Sequence, residues 1–386
     1  LFSTISNLAN GDGLRLSLSV SSVTAWSPSP PAAAGKQAFR TITLADAGHG
    51  ACQAVQSAQS GLWHENETWT QGYAPGACTE VTIAAGHTVT IATGTAVAST
   101  TTVHGTIYFS RVLSSTLTLT GGNLDVESGG TIDLGTEASP IPSTVRAMLA
   151  LASGTVAGEY GLTIKNGGNF TARGVARYPY AESLNSALAG ANSALLPLSQ
   201  ITGWAVGDRI VIGQTEKTSP YQDQSEERTL SAITGADPDR RTVSWNGALV
   251  YSHYSTGPLI IANVHHNTIV RSSGSFEANS SAYLQRLTAY TTSFYAAYAE
   301  FRGIGGLTVG LSGVSFSGAA AGSISSSTIR DGNNGIALPG STGIRLYWNK
   351  SYNNAAVGAR LTGSGGAHEL RWNLLFANEL SGVVIG

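Results

Sequence analysis

The stretch that indicates the fold reads Val81-Thr-Ile-Ala-Ala-Gly-His-Thr-Val-Thr-Ile91. Its apolar residues alternate with polar ones on both sides of a glycine-containing turn, which predicts two short strands meeting at a corner. Further β-rich runs follow at 103–109, 117–119, 124–126 and 131–134. Many short strands without a helical period are typical of a β-solenoid, because one coil alone cannot bury its apolar face. We therefore predict an all-β chain wound as a right-handed parallel β-helix, the hand that parallel crossovers adopt.

A series of short motifs surrounds this stretch. In chain order they are Glu67-Thr-Trp69, Pro75-Gly76, Val81-Thr-Ile83, Ala85-Gly-His-Thr-Val89, Gly105-Thr-Ile107, Gly129-Gly-Thr-Ile-Asp-Leu-Gly135-Thr-Glu137 and Pro140. Together they resemble the G-eight domain, an extracellular β-rich module that commonly precedes a right-handed parallel β-helix. The resemblance covers roughly Trp63 to Leu151 and points to the family of cell-surface hyaluronidases and cell-migration-inducing hyaluronan-binding proteins.

The motifs and the composition together predict three segments of the chain. Residues 1–60 are predicted to be an N-terminal arm with a Pro-rich linker at Ser27–Gly35, residues 61–151 a G-eight-like β module, and residues 152–386 the parallel β-helix. Ala181 to Leu198 is rich in Ala, Leu and Asn and fits either a short helix or a loop. Because the chain begins at Leu1 without an initiator methionine, we expect a fragment of a longer or processed protein.

The composition narrows the function classes. Only 11% of the 386 residues are charged and 47 are glycine, which suits a solenoid with a hydroxyl-rich outer face. The net charge of −2 provides no basic field for nucleic acid or anionic lipid. The sequence contains no apolar run long enough to predict a membrane span.

The chain has two cysteines, Cys52 and Cys78. They form either a disulfide or two buried thiols, and the extracellular setting implied by the G-eight resemblance favours the disulfide. An extracellular or cell-surface location also makes N-glycosylation sequons relevant. The candidate glycosylation sites are Asn66, Asn169, Asn279 and Asn349.

The last third of the chain contains an internal repeat. Trp348-Asn349 and Trp372-Asn373 lie 24 residues apart, as do Asn354 and Asn378. This period fits one solenoid coil of three short strands, in which equivalent asparagines form ladders inside turns. Strict alternation would place Trp348 on the same face as the apolar Leu346, so we predict that both tryptophan rings point into the core.

One group of candidate catalytic residues comprises His253, His265, Glu226 and Glu227. Beyond Leu151 the chain still resembles the hyaluronidase-type family, as far as Val270. In this part the resemblance lies in Glu226-Glu227 and Tyr251-Ser-His253-Tyr254. A departure occurs at Ala262–Asn267, where the family usually has an acidic residue and an Arg-Asn pair. His265 and His266 should lie on opposite faces of a strand, so at most one of them can join His253.

These residues also suggest a metal site. His253, Asp223 and Glu227 are candidate ligands, and their oxygen-rich set suits a divalent cation such as calcium. The alternative is that each histidine is hydrogen-bonded at a solenoid turn without any metal.

A second group of candidate catalytic residues lies in the repeat region. Asp331 and Glu369 are the carboxylates there, and acid/base cleavage of a polysaccharide requires either two carboxylates flanking one glycosidic bond or a base with a cation that neutralises the sugar carboxylate. The alternative is a turn-capping Asp331 and a solvated Glu369. One segment of the chain is rich in aromatic residues, whose rings either stack on sugars or pack a loop against the solenoid. These residues are Tyr283, Tyr290, Phe294, Tyr295 and Tyr298.

Two functional hypotheses result. The first is an extracellular or cell-surface β-solenoid that acts as a structural or glycan-contacting module, with a polysaccharide or other subunits of a larger assembly as partners. The second, implied by the family resemblance, is a polysaccharide depolymerase of hyaluronidase type.

Overall fold

The computed structural model describes residues 52–216, 223–277, 279–287, 293–319, 321–363 and 365–386. The predicted arm at 1–60 lies almost entirely outside the described residues, whereas the chain from Ala51 to Gly386 forms one compact unit. The described residues contain no α-helix, only two 3-10 turns at Asn66–Thr68 and Leu198–Gln200.

Thirteen strands precede an insertion in the solenoid. They are β1 (Val55–Gln56), β2 (Gly61–Leu62), β3 (Val81–Ile83), β4 (Thr88–Ile91), β5 (Ala96–Ala98), β6 (Thr101–Val103), β7 (Thr106–Phe109), β8 (Ser115–Leu119), β9 (Leu124–Val126), β10 (Thr131–Leu134), β11 (Ala147–Leu151), β12 (Gly161–Ile164) and β13 (Asn169–Arg173).

Six strands form the insertion, and fourteen more complete the solenoid. The inserted strands are β14 (Tyr180–Glu182), β15 (Ser193–Pro197), β16 (Arg209–Ile212), β17 (Glu226–Thr234), β18 (Arg240–Trp245) and β19 (Ile260–Asn263). The remaining strands are β20 (Thr268–Ser272), β21 (Tyr283–Arg286), β22 (Ser293–Ala297), β23 (Ala299–Arg302), β24 (Val314–Phe316), β25 (Gly322–Ser325), β26 (Thr328–Arg330), β27 (Ile336–Pro339), β28 (Ile344–Tyr347), β29 (Lys350–Tyr352), β30 (Val357–Thr362), β31 (Glu369–Arg371), β32 (Leu374–Phe376) and β33 (Ser381–Ile385).

The solenoid strands form three parallel sheets that the chain visits in rotation. The first sheet has ten strands from β1 to β33, the second has nine from β2 to β31, and the third has eight from β5 to β32. Each complete coil therefore supplies one strand to each sheet, and the same sheets run through 61–151 and 152–386. The fold is the predicted right-handed parallel β-helix, while the division into two modules stays a prediction.

Apolar residues at equivalent positions stack inside the coils. In β3 and β4 the residues Ile83, Val89 and Ile91 are fully buried, as the alternation predicts. Phe170 and Phe294 are register partners whose ring centroids lie 4.8 Å apart. Each additional coil thus extends the same apolar column and buries the face of the coil before it.

Asparagine ladders occur where the repeat predicts them. The Asn373 side chain accepts a hydrogen bond from the Asn349 backbone N–H at 2.9 Å, and Asn378 accepts one from the Asn354 amide at 2.9 Å. The Asn349 amide also donates to the Ile324 carbonyl. These bonds satisfy backbone groups that the corners would otherwise bury unpaired.

The prediction for the tryptophans is wrong. Trp348 and Trp372 have φ values of +59° and +56°, so each follows its strand at a left-handed corner residue. This turn ends the strand alternation, and Trp372 is 55% exposed while Leu346 is buried. The two rings stack on each other outside the core at 4.8 Å.

The insertion occupies the corner between β13 and β20. Its strands form a six-stranded antiparallel sheet, so neither a helix nor a simple loop spans Ala181 to Leu198. The sheet has its own apolar core, which includes Trp204 and Trp245. A second small cluster joins Val211 and Val264 of the insertion to Tyr352 of the third sheet. The insertion therefore covers part of the outer face of that sheet.

This cover buries two titratable groups. Lys350 is 1% exposed, and its ammonium has the Ser326 carbonyl at 3.3 Å as a hydrogen-bond acceptor. Burial lowers the pKa of Lys350 to about 7. His266 is also buried, with Nε2 at 2.9 Å from the Thr328 hydroxyl, and burial lowers its pKa well below the usual value. Both groups lack the solvation that their charged forms need.

We predict that stability depends on pH through Lys350. Between pH 7 and the ordinary lysine pKa, the unfolded chain binds a proton that the folded chain does not, so the free energy of unfolding rises with pH there. The slope is at most about 1.4 kcal/mol per pH unit. Denaturant unfolding at pH 7, 8 and 9 should show this slope in the wild type and lose it in Lys350→Met. Lys165→Met, at a partly exposed ion-paired lysine, is the control that keeps it.

Candidate active site

Glu226 and His253 lie next to each other inside the insertion, and their catalytic role stays a prediction. His253 Nδ1 donates to the Gly213 carbonyl at 2.8 Å, and Nε2 lies 3.3 Å from Glu226. Glu226 also accepts from the Val250 and Tyr251 backbone N–H groups. Burial raises the pKa of Glu226, but these hydrogen bonds outweigh it and lower the pKa overall. The pair is saturated with protein partners and positions the insertion instead of facing a substrate.

Glu227 points to the opposite side of β17, toward the solenoid. Its carboxylate accepts from the Tyr352 hydroxyl at 3.1 Å and lies 3.5 Å from Arg209. Asp223 instead accepts from the Ser225 backbone N–H. The strand alternation thus separates Glu227 from His253, and the predicted metal set is not brought together. Among the residues that the structure describes, no three His, Cys, Asp or Glu side chains are grouped to hold a metal ion.

An outward-facing column of the third sheet contains three arginines in successive coils. Register pairing aligns Arg271 with Arg302 and Arg302 with Arg330, followed by Tyr352 and Phe376 in the next coils. The rings of Tyr352 and Phe376 stack at 4.9 Å. Three guanidinium groups in successive coils repel each other, so this column requires nearby carboxylates.

Glu300 supplies the most buried of these carboxylates. It is 2% exposed and accepts from Arg209 Nη2 at 2.8 Å and from Arg330 Nε at 2.9 Å. Asp331 accepts from Arg302 Nε at 2.7 Å and from Arg330 Nη1 at 3.2 Å. Burial lowers the pKa of Arg330, but Tyr352 and the three carboxylates around it raise the pKa above its usual value. Glu300 therefore ties the insertion to the arginine column.

Beside this network lies a cleft of about 410 Å³. We call it the arginine cleft, and its charged lining comprises Arg146, Arg209, Arg271, Arg302 and Glu300 together with His265. Arg271 donates to the Ser272 carbonyl and Arg146 contacts the Met148 sulfur. In the described part of the chain, neither the Arg271 nor the Arg146 guanidinium has a carboxylate oxygen within 4.0 Å. The cleft thus presents guanidinium groups that the protein leaves uncompensated.

His265 lines this cleft, whereas His253 does not. Burial lowers the pKa of His265, Arg177 and Arg209 lower it further, and Asp208 and Glu300 oppose them. His265 is therefore neutral near pH 7, and its buried Nδ1 has no hydrogen-bond partner among the described residues. A neutral imidazole in this position can exchange a hydrogen bond or a proton with a bound hydroxyl.

The two predicted carboxylates of the repeat region do not share a face. Asp331 follows β26 of the third sheet, whereas Glu369 lies in β31 on the outer face of the second sheet, beside Tyr347 and Arg371. Asp331 and Glu227 instead share a cation, since their carboxylates lie 3.2 and 3.7 Å from Arg330 Nη1. The insertion thus places Glu227 beside an arginine that also pairs with Asp331, although the two carboxylates are far apart in sequence.

Sequence reasoning missed Arg209, Glu300 and the arginine column. The coils between Arg271, Arg302, Arg330 and Tyr352 have different lengths, so no fixed period marks these positions. Only the strand register reveals that they align.

The candidate glycosylation sites and the aromatic residues do not line the arginine cleft. Asn349 is 1% exposed and bonded in its ladder, which is incompatible with a glycan there. Asn66 and Asn279 are exposed, and Asn169 accepts from Ser293 on the neighbouring strand. Of the aromatic set, Tyr283 and Phe294 are buried and Tyr295 is exposed, while Tyr290 lies outside the described residues.

The predicted disulfide is confirmed. Cys52 and Cys78 are bonded, with Cα atoms 5.0 Å apart, which ties the start of the first coil to the loop before β3. No described helix is long and apolar enough to cross a membrane.

Comparison with known proteins gives one family match. Residues 68–185 match the G8 domain, which confirms the G-eight resemblance and carries it past Leu151. The finer resemblance to hyaluronidases stays a prediction. No curated protein sequence matches the chain.

Three solved phage tailspike structures are similar to this chain, with low TM-scores. The tailspike gp61 of Pseudomonas phage phi297 has 12% identity and a TM-score of 0.22, and the match covers 75% of this chain and 42% of that chain. For gp54 of Acinetobacter baumannii bacteriophage AP22, solved in complex with A. baumannii capsular saccharide, the identity is 9%, the TM-score 0.20 and the coverage 74% and 45%. For gp49 of Pseudomonas phage LKA1 the identity is 12%, the TM-score 0.19 and the coverage 76% and 45%. The chain covers less than half of each of these structures. The fold assignment therefore rests on the three parallel sheets described above.

We predict that Glu300 is essential for stability. Glu300→Gln should lower the free energy of unfolding by roughly 3–5 kcal/mol, because it leaves Arg209 and Arg330 partly buried without their shared counter-charge. Glu137→Gln is the matched control; this exposed carboxylate lies 3.6 Å from Arg173 and should change stability by less than about 0.5 kcal/mol. Equal denaturant midpoints for the two variants would show that the Glu300 network does not hold the insertion in place.

Proposed function

We propose that this chain is an extracellular β-solenoid module that contacts an acidic polysaccharide through the arginine cleft. The observation that carries the proposal is the excess of guanidinium groups in that cleft: of its four arginines, Arg209 and Arg302 are paired with carboxylates, whereas Arg146 and Arg271 have no carboxylate within 4.0 Å among the described residues. Guanidinium groups bind carboxylates and sulfates through paired, charge-assisted hydrogen bonds. The disulfide and the G8 match support an extracellular setting, and the polysaccharide or other subunits of an assembly are the partners.

The rest of the cleft suits a sugar chain. Ser114, Ser143 and Thr144 add hydroxyl groups to its wall, and these can exchange hydrogen bonds with sugar hydroxyls. The neutral His265 leaves the positive charge on the arginines, where it does not vary near neutral pH. Specificity for an anionic glycan would then come from charge, and orientation from the hydroxyl groups.

A second candidate, a polysaccharide depolymerase of hyaluronidase type, is favoured by one further observation. Glu227 and Asp331 both approach Arg330 Nη1, and their side chains are 38% and 17% exposed. Glycoside hydrolysis requires two carboxylates on opposite sides of the scissile bond, one to protonate the leaving oxygen and one to activate water or attack the sugar. The pair at the base of the insertion has the residue types that this reaction requires.

The binding proposal predicts a charge-dependent affinity. Arg146→Ala/Arg271→Ala should bind hyaluronan or chondroitin sulfate at least about tenfold more weakly than the wild type in titration calorimetry, because it removes two uncompensated cations. Wild-type affinity should fall between 50 and 300 mM NaCl, since exposed charges are screened. Arg240→Ala, at an exposed arginine paired with Asp237, is the control. Wild-type affinity in the double variant would refute the cleft as the binding site.

The depolymerase candidate predicts chain cleavage. Incubation with the same polysaccharides followed by size-exclusion chromatography should show shortened chains, and Glu227→Gln or Asp331→Asn should slow cleavage by about 100-fold or more. Glu137→Gln should cleave at the wild-type rate. Polysaccharides of unchanged length after incubation with the wild type would reject this candidate and leave the binding proposal standing.

A further inference from the structure

The ring of His265 has no hydrogen-bond partner among the described residues, although the side chain is half-buried. The other described histidines that are not exposed each have at least one ring nitrogen in a hydrogen bond; they are His87, His253, His266 and His368. His265 also lines the arginine cleft, and because its Nδ1 is buried, Nε2 is the nitrogen that reaches the cleft. An unpaired imidazole nitrogen on the wall of a cleft is available to a bound molecule.

A buried polar network fixes the backbone of His265. Its N–H donates to the Asn263 side chain at 3.0 Å. The Asn263 amide donates in turn to Asp208 at 2.8 Å, and Asp208 also accepts from Arg177 Nε at 2.8 Å. Asn263 and Asp208 are 1% and 2% exposed, so water does not compete for these bonds. The network therefore holds the imidazole at the cleft wall while leaving its ring nitrogens unbonded.

The cleft lies in the middle of the third sheet. Its strands β11, β20 and β23 are neighbours, with β8 on one side and β26 on the other. Arg271 belongs to β20, and Arg146 immediately precedes β11. The outer face at this place is thus flanked by further coils in both directions. The uncompensated charge of Arg146 and Arg271 is therefore not a consequence of a terminal coil.

We propose that the arginine cleft cleaves 4-linked uronate polysaccharides by β-elimination, with His265 as the catalytic base and with Arg146 and Arg271 neutralising the uronate carboxylate. The inference rests on the proposed binding of an acidic polysaccharide and assigns a reaction to the same site. A uronate has a weakly acidic hydrogen on C5, the carbon next to its carboxylate. Guanidinium groups bound to that carboxylate stabilise the negative charge that develops there, and a neutral imidazole can then remove the hydrogen.

The elimination needs no co-reactant. His265 Nε2 takes the C5 hydrogen as a proton, the C5–H electron pair forms a C4=C5 double bond, and the bond from C4 to the glycosidic oxygen breaks. That oxygen leaves with the electron pair and takes up the proton from the imidazolium, which regenerates the neutral ring. In glucuronate the C5 hydrogen and the C4 oxygen lie on the same face of the sugar, so one imidazole can serve both transfers. Hydrolysis, in contrast, adds water and forms no double bond.

The test uses the full 386-residue chain with hyaluronan, chondroitin sulfate and keratan sulfate, the last of which has sulfate groups but no uronate. The wild type should cleave at least one of the two uronate polymers and form a product whose conjugated double bond absorbs in the ultraviolet. Keratan sulfate should stay intact. His265→Gln should slow double-bond formation by about 100-fold or more, with unchanged affinity in titration calorimetry. His104→Gln, at an exposed histidine outside the cleft, is the matched control and should react at the wild-type rate.

A second variant makes the test independent of the folding of the first. Arg271→Ala lies outside the insertion and should lower the rate at saturating hyaluronan or chondroitin sulfate by about tenfold or more, because it removes a cation that stabilises the charge on C5.

Three results would overturn the inference and leave the binding proposal intact. They are binding of uronate polymers without a double-bond product, shortened chains that lack the double bond, and a wild-type rate in His265→Gln with a native circular dichroism spectrum. The second result would identify the hydrolytic candidate. Failure of hyaluronan and chondroitin sulfate to bind the wild type would instead refute the proposed function itself, so the two failures are distinguished.

Discussion

The constraint on which this structure depends is the in-register parallel pairing of successive coils. Backbone hydrogen bonds hold each strand beside its equivalent in the next coil, so side chains at matching positions stack a strand spacing apart. Phe170 on Phe294, Asn349 on Asn373 and Trp348 on Trp372 are consequences of the same register. Apolar and amide side chains gain from such stacking, because each new coil completes the burial or hydrogen bonding of the previous one.

Charged side chains respond to the same register in the opposite way. Alignment of Arg271, Arg302 and Arg330 places like charges side by side, which is unfavourable unless carboxylates intervene. Glu300 and Asp331 provide them at the Arg330 end of the column. At the other end of the column, Arg271 has no carboxylate partner among the described residues. The cleft at this end is therefore cationic, whereas Arg302 and Arg330 are paired with carboxylates. The proposed acidic glycan would supply the missing counter-charge.

The insertion converts one outer face of the solenoid into a site. It replaces solvent over Lys350 and His266, which makes their charged forms unfavourable, and it delivers Arg209 and Glu227 to the arginine column. The Glu226–His253 pair is not part of the cleft lining and bonds β17 to the segment between β18 and β19. Residues that carry recognisable motifs thus build the support, while residues without a motif line the cleft.

The sequence alone determined the β-helix, the asparagine ladders and the G-eight resemblance, because strand alternation and a 24-residue repeat are local or periodic properties of the chain. It also indicated Glu227, His265 and Asp331 as candidates, but not that Glu227 and Asp331 share Arg330 while His253 and Glu369 lie elsewhere. Coils of unequal length hide the register, and one left-handed corner residue turned Trp348 out of the core. Only the tertiary structure decides such contacts, since they depend on how separate coils and the inserted sheet align in space.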